Sequence, residues 1–270
     1  MSENTRIALG VEYLGARYSG WQRQTHSLSV QAELESALSK IANHQVTITC
    51  AGRTDAGVNA YEQVVHFDTV ARRKDDAWVL GVNSQLPDDI RVLWAKTVTP
   101  DFHARYSAYA RYYRYLIYNR TVRSALNYQQ ACWYYPLLAE DLMHYAAQHL
   151  LGHHDFTSFR AAACQSHSAM RAMYVVDVIR QGDYVIIDVC ANAFLYHMVR
   201  NIVGVLMAIG SGKQSPDWTL QLLAAKNRSQ AGLTAPAQGL YLAGVYYPEH
   251  FGLPKHSLFN RLPSDIKRYD

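Results

Sequence analysis

Residues 45–69 carry the run QVTITCAGRTDAGVNAYEQVVHFDT, in which two strand-like segments flank a glycine-containing loop. Polar and apolar side chains alternate at residues 45–50 and 63–69, which predicts two β-strands. Strands that follow each other without a helix between them favour antiparallel pairing over the alternating order of a doubly wound parallel sheet. The run therefore predicts an α+β fold with a mainly antiparallel sheet.

Elements of both types recur outward from this run. Ser27 or Ser29 is placed to cap a helix whose apolar residues recur at helical spacing, namely Val30, Leu34, Leu38 and Ile41. Further strands are predicted at residues 6–13, 90–98, 108–118, 170–179, 184–191 and 239–247. Further helices are predicted at residues 75–82, 139–150, 195–209 and 216–227.

This order of elements predicts the domain organisation. Strand, helix and further strands occur in each half of the chain, which favours two similar lobes with helices on one face of the sheet. We place the N-terminal lobe at residues 1–100 and the C-terminal lobe at residues 101–247. Residues 248–270 are rich in polar residues and are expected to form a peripheral tail.

Length and composition restrict the class of protein. The 270 residues allow one large domain or two of ordinary size, and 49% apolar with 18% charged residues excludes intrinsic disorder. The four cysteines are far apart and form no zinc-binding pair, which favours reduced, buried thiols. The N-terminus lacks the apolar core of a secretion signal, and polar residues interrupt the longest apolar stretch at 194–209. We therefore expect a cytoplasmic protein.

The balance of basic residues favours an RNA partner. The net charge of +4 carries little information, but arginine outnumbers lysine nineteen to seven. Arginine is suited to bidentate phosphate contacts and to stacking on bases.

Asp55, in GRTDAGV at residues 52–58, is the candidate catalytic carboxylate. Glycine and aspartate are common turn residues, so a simple turn is the alternative interpretation. Arg53 and the small residues around Asp55 favour a site that a nucleoside can approach. Asp55 has no second acidic residue and no His or Cys cluster nearby, which indicates a lone nucleophile or base rather than a glycosidase pair or a metal ligand.

Arg200 is a candidate partner for that carboxylate. On a helical wheel it lies with His197 and Gly204, opposite an apolar face formed by Leu195, Val199, Ile202, Leu206 and Ile209. A nearby arginine lowers the pKa of a carboxylate and keeps the anion available. The alternative interpretation is a solvated arginine on a surface helix.

Tyrosine and arginine alternate in a third stretch, at residues 102–118. Arg105, Arg111 and Arg114 between tyrosines are typical of a surface that stacks on bases and neutralises phosphates. A half-buried strand is the alternative, because tyrosine is a good strand former. The runs GWQRQ at 20–24 and DFTSFR at 155–160 have groups suited to RNA contact, although Phe156 and Phe159 fit loop packing equally well.

Together these runs resemble the bacterial tRNA pseudouridine synthase A family. The matching runs are GWQRQ at 20–24, GRTDAGV at 52–58, FHAR at 102–105, YRY at 113–115, DFTSFR at 155–160, HMVRN at 197–201 and GLYL at 239–242. They occur in the family's order and leave out only the tail after about Pro248. The resemblance implies a pseudouridine synthase fold with two lobes around a continuous sheet, a basic RNA-binding cleft, a homodimer, and no metal or organic cofactor.

The resemblance also implies roles for particular residues. Asp55 matches the catalytic aspartate, Tyr113 the tyrosine that contacts the target base, and Arg200 the arginine that pairs with the aspartate. Arg53 matches the arginine implicated in displacing the base. Asn59 stands where many relatives have histidine, which leaves its RNA contacts open while activity is still expected.

The implied reaction isomerises uridine to pseudouridine in the anticodon stem-loop of tRNA, at tRNA positions 38–40. The residues leave open whether Asp55 adds to the base, attacks C1′ or removes a ribose proton. A non-catalytic RNA-binding protein of the same fold is one rival, but binding alone needs neither Asp55 nor Arg200. A hydrolase that releases the free base is another.

Overall fold

The computed structural model describes residues 4–254, which form two compact units. The first unit contains the chain up to Tyr109 and the segment that begins at Tyr241, and the second runs from Ala110 to Leu240. Each unit combines mostly antiparallel strands with helices, so the predicted α+β class is confirmed. Most of the predicted tail, residues 255–270, lies outside the described residues.

The strands of the first unit are ordered around β1 (Thr5–Tyr13). β1 pairs antiparallel with β3 (Asn59–Thr69) along one edge and with β4 (Ile90–Val98) along the other. On its free edge β3 pairs antiparallel with β2 (Thr49–Cys50) and parallel with β10 (Leu240–Tyr246). The loop that joins β2 to β3 therefore begins at the β2–β3 pair and ends where β10 pairs with the start of β3.

Two helices complete the first unit. α1 (Val30–Ala42) follows Ser29, whose hydroxyl accepts a hydrogen bond from the backbone N–H of Ala32 at 3.3 Å, so one of the two predicted caps is confirmed. α2 (Asp75–Asn83) buries Trp78 completely, with its ring 5.3 Å from that of Phe67 on β3. Burial of these apolar side chains stabilises the unit.

The second unit is a sheet with three helices. β5 (Ala110–Asn119) pairs antiparallel with β9 (Tyr184–Ala191), which pairs antiparallel with β8 (Met170–Gln181). Two short strands lie at its margins: β6 (Cys132–Tyr134), parallel to β5, and β7 (Gly152–Asp155), antiparallel to β8. The helices are α3 (Glu140–Gln148), α4 (Met198–Gly210) and α5 (Trp218–Ala225).

The predicted elements are confirmed to within a few residues, with three exceptions. The strand expected at residues 45–50 is reduced to β2, and β6 and β7 were not predicted. A strand of three or four residues is too short to show a period-two pattern. The last strand, expected in the lobe at 101–247, groups with the first unit because Tyr241 and Leu242 pair with β3.

A buried ion pair joins the central strands of the second unit. Arg114 on β5 lies opposite Asp188 on β9 and donates two hydrogen bonds to its carboxylate, each 2.8 Å long. The Asp188 side chain is only 2% exposed. Removing the buried carboxylate leaves a partly desolvated guanidinium without its main partner, which costs more than the pair contributes when intact.

We predict that Asp188→Ala lowers the free energy of unfolding by about 3 kcal/mol, because the Arg114 guanidinium loses its buried partner. Asp183→Ala is the matched control, since its ion pair with Arg120 is 3.4 Å long and half exposed, and we expect a loss of less than about 1 kcal/mol. Urea unfolding measures both values. Equal losses in the two variants would contradict the prediction.

Candidate active site

Asp55 lies in a tight turn between β2 and β3. Val58 donates its backbone N–H to the Asp55 carbonyl at 3.2 Å, and Gly57 between them has φ of +77°. A positive φ at the third position of a turn favours glycine. The turn interpretation is therefore confirmed as the local structure of the loop. It leaves the Asp55 side chain half-buried.

Hydrogen bonds hold the part of this loop that precedes Asp55. The Gln63 side-chain amide donates to the Gly52 carbonyl at 2.6 Å, before the aspartate. Next to Asp55, the Thr54 carbonyl accepts from the backbone N–H of Trp21 at 3.0 Å, and the Thr54 hydroxyl bonds that of Tyr13 at 2.8 Å. Three separate elements thus hold the backbone that carries the carboxylate.

The GWQRQ run supports this loop by close backbone packing. Gly20 has φ of +100°, and a Cβ there would lie 2.8 Å from the Thr54 carbonyl oxygen. Trp21 is buried, and Arg23 pairs with Glu35 of α1 at 2.9 Å. Gly20 and Trp21 are therefore structural supports of the Asp55 loop, and the RNA contacts expected of this run stay a prediction.

Asn59 is a second structural support rather than an exposed RNA contact. Its side chain is fully buried, and its Oδ1 accepts the backbone N–H of Gly15 at 2.8 Å. A Cβ at Gly15 would overlap the Val58 carbonyl oxygen, so the two segments meet backbone to backbone. Asn59, which stands where many relatives have histidine, therefore lies in the interior of the first unit.

Arg53 extends into solvent two residues before Asp55. It lies close enough to Cys50 to lower the pKa of that thiol, although burial is the larger effect and raises the pKa to about 11. All four cysteines are free thiols, as predicted; Cys132 and Cys190 are fully buried, whereas Cys50 and Cys164 keep part of their surface exposed. An exposed guanidinium beside the candidate carboxylate is available to an RNA ligand.

Tyr113 lies on β5 and is 9% exposed, with its ring edge-on to Phe194 at 5.0 Å. Its neighbours Tyr112 and Tyr115 are completely buried, and Arg114 is held by Asp188. The predicted stacking surface of alternating arginine and tyrosine is therefore wrong for most of β5, which is core. Period-two alternation does not separate an exposed face from a buried one when both faces are covered.

Arg200 lies on α4 and is half-buried, so the alternative interpretation of a solvated arginine on a surface helix is wrong. The Arg200 Nε donates to the Ala235 carbonyl at 2.8 Å, and the Ala235 N–H donates back to the Arg200 carbonyl at 3.0 Å. A Cβ at Gly204 would overlap the Leu233 carbonyl oxygen. The chain around residue 234 therefore covers the face opposite the apolar stripe and positions the half-buried guanidinium.

Tyr115 is a neighbour of Arg200 that the sequence did not single out. Its hydroxyl donates to the Pro236 carbonyl at 2.7 Å. Burial raises the Tyr115 pKa well above 10, while Arg200 acts in the opposite direction. Tyr115 and Arg200 thus converge on the same segment of chain. Tyr115 lies in the YRY run and on the same predicted strand face as Tyr113, but the resemblance assigned a role to Tyr113 alone.

The DFTSFR and HMVRN runs meet at a buried amide. The Asn201 Nδ2 donates to the Phe159 carbonyl at 2.7 Å, and its Oδ1 accepts from Arg228 at 2.9 Å and Thr234 at 2.6 Å. Phe156 and Phe159 are fully buried, so loop packing is confirmed for DFTSFR. Asn201 positions the start of α4 and hence Arg200.

Of the four candidate residues, Asp55 and Arg53 share the first unit, and Tyr113 and Arg200 share the second. A family model described as tRNA pseudouridine synthase matches residues 10–107 and 146–248. The chain belongs to the tRNA pseudouridine synthase family. It is therefore an isomerase of the pseudouridine synthase type.

Curated relatives cover nearly the whole chain. A tRNA pseudouridine synthase A of Methylococcus capsulatus is 53% identical over 98% of this chain and 97% of its own length. Proteins of the same name from Shewanella woodyi and Coxiella burnetii are 58% and 55% identical, each over 94% of this chain and 97% of their own length.

One solved structure is a more distant match. The archaeal box H/ACA sRNP Nop10–Cbf5 complex aligns with a TM-score of 0.34 and 13% identity, over 74% of this chain and 44% of that chain. Within residues 4–254, no three His, Cys, Asp or Glu side chains are grouped to hold a metal ion, and no helix has the length and apolarity needed to span a membrane.

We predict that Gly20→Ala reduces turnover by about 100-fold, because the added Cβ displaces the Thr54 carbonyl and with it Asp55. Gly182→Ala is the matched control, since Gly182 also has a positive φ, of +58°, but nothing lies within 4 Å of its added Cβ. Both variants lose roughly 1 kcal/mol to backbone strain. Single-turnover kinetics on tRNA, with thermal melting for stability, separate the two effects. Equal turnover in the two variants would count against the supporting role of Gly20.

His66 on β3 provides a prediction about pH. Its Nδ1 accepts the backbone N–H of Ala104 at 3.1 Å, which requires an unprotonated nitrogen. Burial, then Arg6 and His103, lower the His66 pKa to about 4, against a weaker opposing effect of Asp68. The folded-state pKa is thus below the unfolded value, so the stability that neutral His66 contributes is complete above about pH 6.5.

We therefore expect this contribution to be lost as the pH falls from 6.5 to about 4. Over that range the unfolded chain binds about one more proton at His66 than the folded chain does. His66→Gln keeps a hydrogen-bond acceptor without titrating, so its free energy of unfolding should fall less steeply with acidification. Urea unfolding at several pH values measures the slopes, and equal slopes would refute the assignment.

Proposed function

We propose that this pseudouridine synthase isomerises uridine in the anticodon stem-loop of tRNA, at positions 38–40, with Asp55 as the catalytic nucleophile. The observation that carries the proposal is the ordered loop around Asp55. The Asp55 side chain is half-buried, the preceding Thr54 carbonyl accepts a hydrogen bond from Trp21, and a hydrogen bond from Val58 to Asp55 closes the turn. A preorganised loop needs no rearrangement when the substrate arrives. The names of the relatives support tRNA as the substrate.

The target base must leave its helix before it can react. Extruding a nucleotide costs about a few kcal/mol, which contacts to the RNA backbone offset. The exposed Arg53 is suited to this step, because its guanidinium is two residues from Asp55 and is not buried in the unit. We propose that Arg53 occupies the space that the displaced uridine leaves.

Tyr113 and Arg200 are proposed to complete the uridine site. The Tyr113 ring packs edge-on against that of Phe194, which fixes the orientation of the ring that the resemblance assigns to contact with uracil. The Arg200 Nε donates a hydrogen bond to the Ala235 carbonyl, which limits the conformations of the guanidinium. A guanidinium near Asp55 would keep the carboxylate ionised and able to act as a nucleophile.

The reaction conserves every atom of the uridine apart from one exchanged proton. The bond between N1 of uracil and C1′ breaks, the base turns, and a bond forms between C5 and C1′. The proton on C5 is released, and N1 gains a proton. Attack by Asp55 on C1′ or on the base, or removal of a ribose proton, are the three first steps that this balance allows.

We predict that Asp55→Asn lowers pseudouridine formation by roughly 10⁴-fold or more, while tRNA binding is largely kept. The assay uses tRNA labelled with tritium at uridine C5 and measures released tritium and free uracil. Asp183→Asn is the control, because that carboxylate is half exposed in a hairpin of the second unit. Full activity in Asp55→Asn would refute the catalytic assignment.

The products of the same assay distinguish the rivals. Tritium release without free uracil supports isomerisation, and free uracil indicates a hydrolase. Binding with neither product indicates a non-catalytic RNA-binding protein. Replacing the uridines at tRNA positions 38–40 by cytidine tests the proposed positions. The homodimer and the cytoplasmic location stay predictions.

A further inference from the structure

The FHAR run is followed by an exposed aromatic ring beside a cation. The Tyr106 side chain is 76% exposed, whereas most tyrosines of the described chain are at least partly buried. The guanidinium carbon of Arg105 lies 5.6 Å from the centre of the Tyr106 ring. A single exposed tyrosine is ordinary, but this one lies on a turn that two histidine side chains hold in place.

Two imidazoles hold the backbone of this turn. The N–H groups of Arg105 and Tyr106 both donate to His103 Nδ1, at 3.1 and 3.2 Å. The preceding N–H, of Ala104, donates to His66 Nδ1 at 3.1 Å. Three consecutive backbone donors therefore point at two histidine rings. Two hydrogen bonds of 2.9 Å close the turn: the His103 N–H donates to the Ser107 hydroxyl, and the Ser107 N–H donates to the His103 carbonyl.

The same imidazoles form a column of rings under Tyr106. The centres of the Tyr106 and His103 rings are 4.4 Å apart at an interplanar angle of 31°. The His103 ring lies 4.7 Å from that of His66, which is buried on β3. One side of the Tyr106 ring is thus backed by a column that extends into the sheet. Stacking on a preordered ring loses little conformational entropy.

This turn lies next to the Asp55 loop within the first unit. His66 pairs with Thr49 of β2, and β2 leads directly into the loop. Arg53 from the loop and Arg105 from the turn both act on the charge of Cys50, the last residue of β2. Both arginines therefore lie near this short strand, and an RNA that contacts Arg53 is expected to lie near Arg105 as well.

We propose that Tyr106 and Arg105 form a binding site for one nucleotide of the RNA next to the target uridine, with the Tyr106 ring stacked on its base and Arg105 on its phosphate. The inference rests on the proposed function, since it takes tRNA as the ligand. Stacking of a base on an exposed ring tolerates any base, and arginine neutralises the adjoining phosphate. The site positions the RNA and takes no part in the chemistry.

The test measures tRNA affinity with the full chain. We expect Tyr106→Ala to weaken binding by about tenfold or more, and Tyr106→Phe to bind as the unaltered protein does, because stacking needs the ring and not the hydroxyl. Tyr145→Ala is the matched control: Tyr145 is 57% exposed on α3 and packs edge-on against His149. In Tyr145→Ala, both the tRNA affinity and the single-turnover rate should stay near the unaltered values.

A second arm separates stacking from loss of local structure. A series of stem-loops, each lacking one base, should contain one member for which Tyr106→Ala costs no further affinity. Arg105→Gln should reduce the slope of log affinity against log salt concentration by about one. A merely structural role for the turn would lower the melting temperature of Tyr106→Ala and leave the missing-base series uniform.

Three outcomes would overturn the inference: unchanged affinity in Tyr106→Ala, an equal loss in Tyr145→Ala, or a uniform missing-base series. If the unaltered protein forms pseudouridine and any of these is seen, only this inference fails. If the unaltered protein neither binds tRNA nor forms pseudouridine, the proposed function fails as well. Binding and product assays on the same preparations thus distinguish the two failures.

Discussion

The backbone contact between Gly20 and Thr54 is the constraint on which the site depends. Because Gly20 has no Cβ, the chain before α1 approaches the loop closely enough for Trp21 to donate to the Thr54 carbonyl. Asp55 follows immediately, so its carboxylate starts from a backbone that cannot shift without breaking this packing. A side chain held in this way is positioned before the substrate binds, which suits the catalytic role proposed for Asp55.

Much of the arginine content serves the structure rather than RNA. Arg114 is committed to Asp188, Arg23 to Glu35, and Arg160 to the carbonyls of Cys164 and Ser166. Each forms charge-assisted hydrogen bonds that hold strands or loops together. The excess of arginine over lysine is therefore a mixed signal, and the arginines of interest are those that stay exposed beside the Asp55 loop, Arg53 and Arg105.

Histidine has a comparable structural role next to β2, the strand that leads into the Asp55 loop. His66 and His103 use their unprotonated nitrogens as acceptors for the turn at residues 104–106. Burial and nearby cations lower the pKa of both rings, which keeps them neutral at physiological pH. The turn that carries Arg105 and Tyr106 is consequently ordered under the conditions in which RNA is bound, and acid weakens it.

The sequence by itself determined the α+β class, most strand and helix positions, the Ser29 cap and the turn at Asp55, because these depend on periodicity and on residues a few positions apart. The resemblance pointed to the family and to Asp55. Only the tertiary structure decided that Asn59 is buried, that β5 is core and that the chain near residue 234 covers the Arg200 face of α4. Those features join segments as distant as Arg200 and Ala235 or His66 and Ala104. Local patterns carry no information about which distant segment will cover a face, since that is settled by how the packed elements exclude water together.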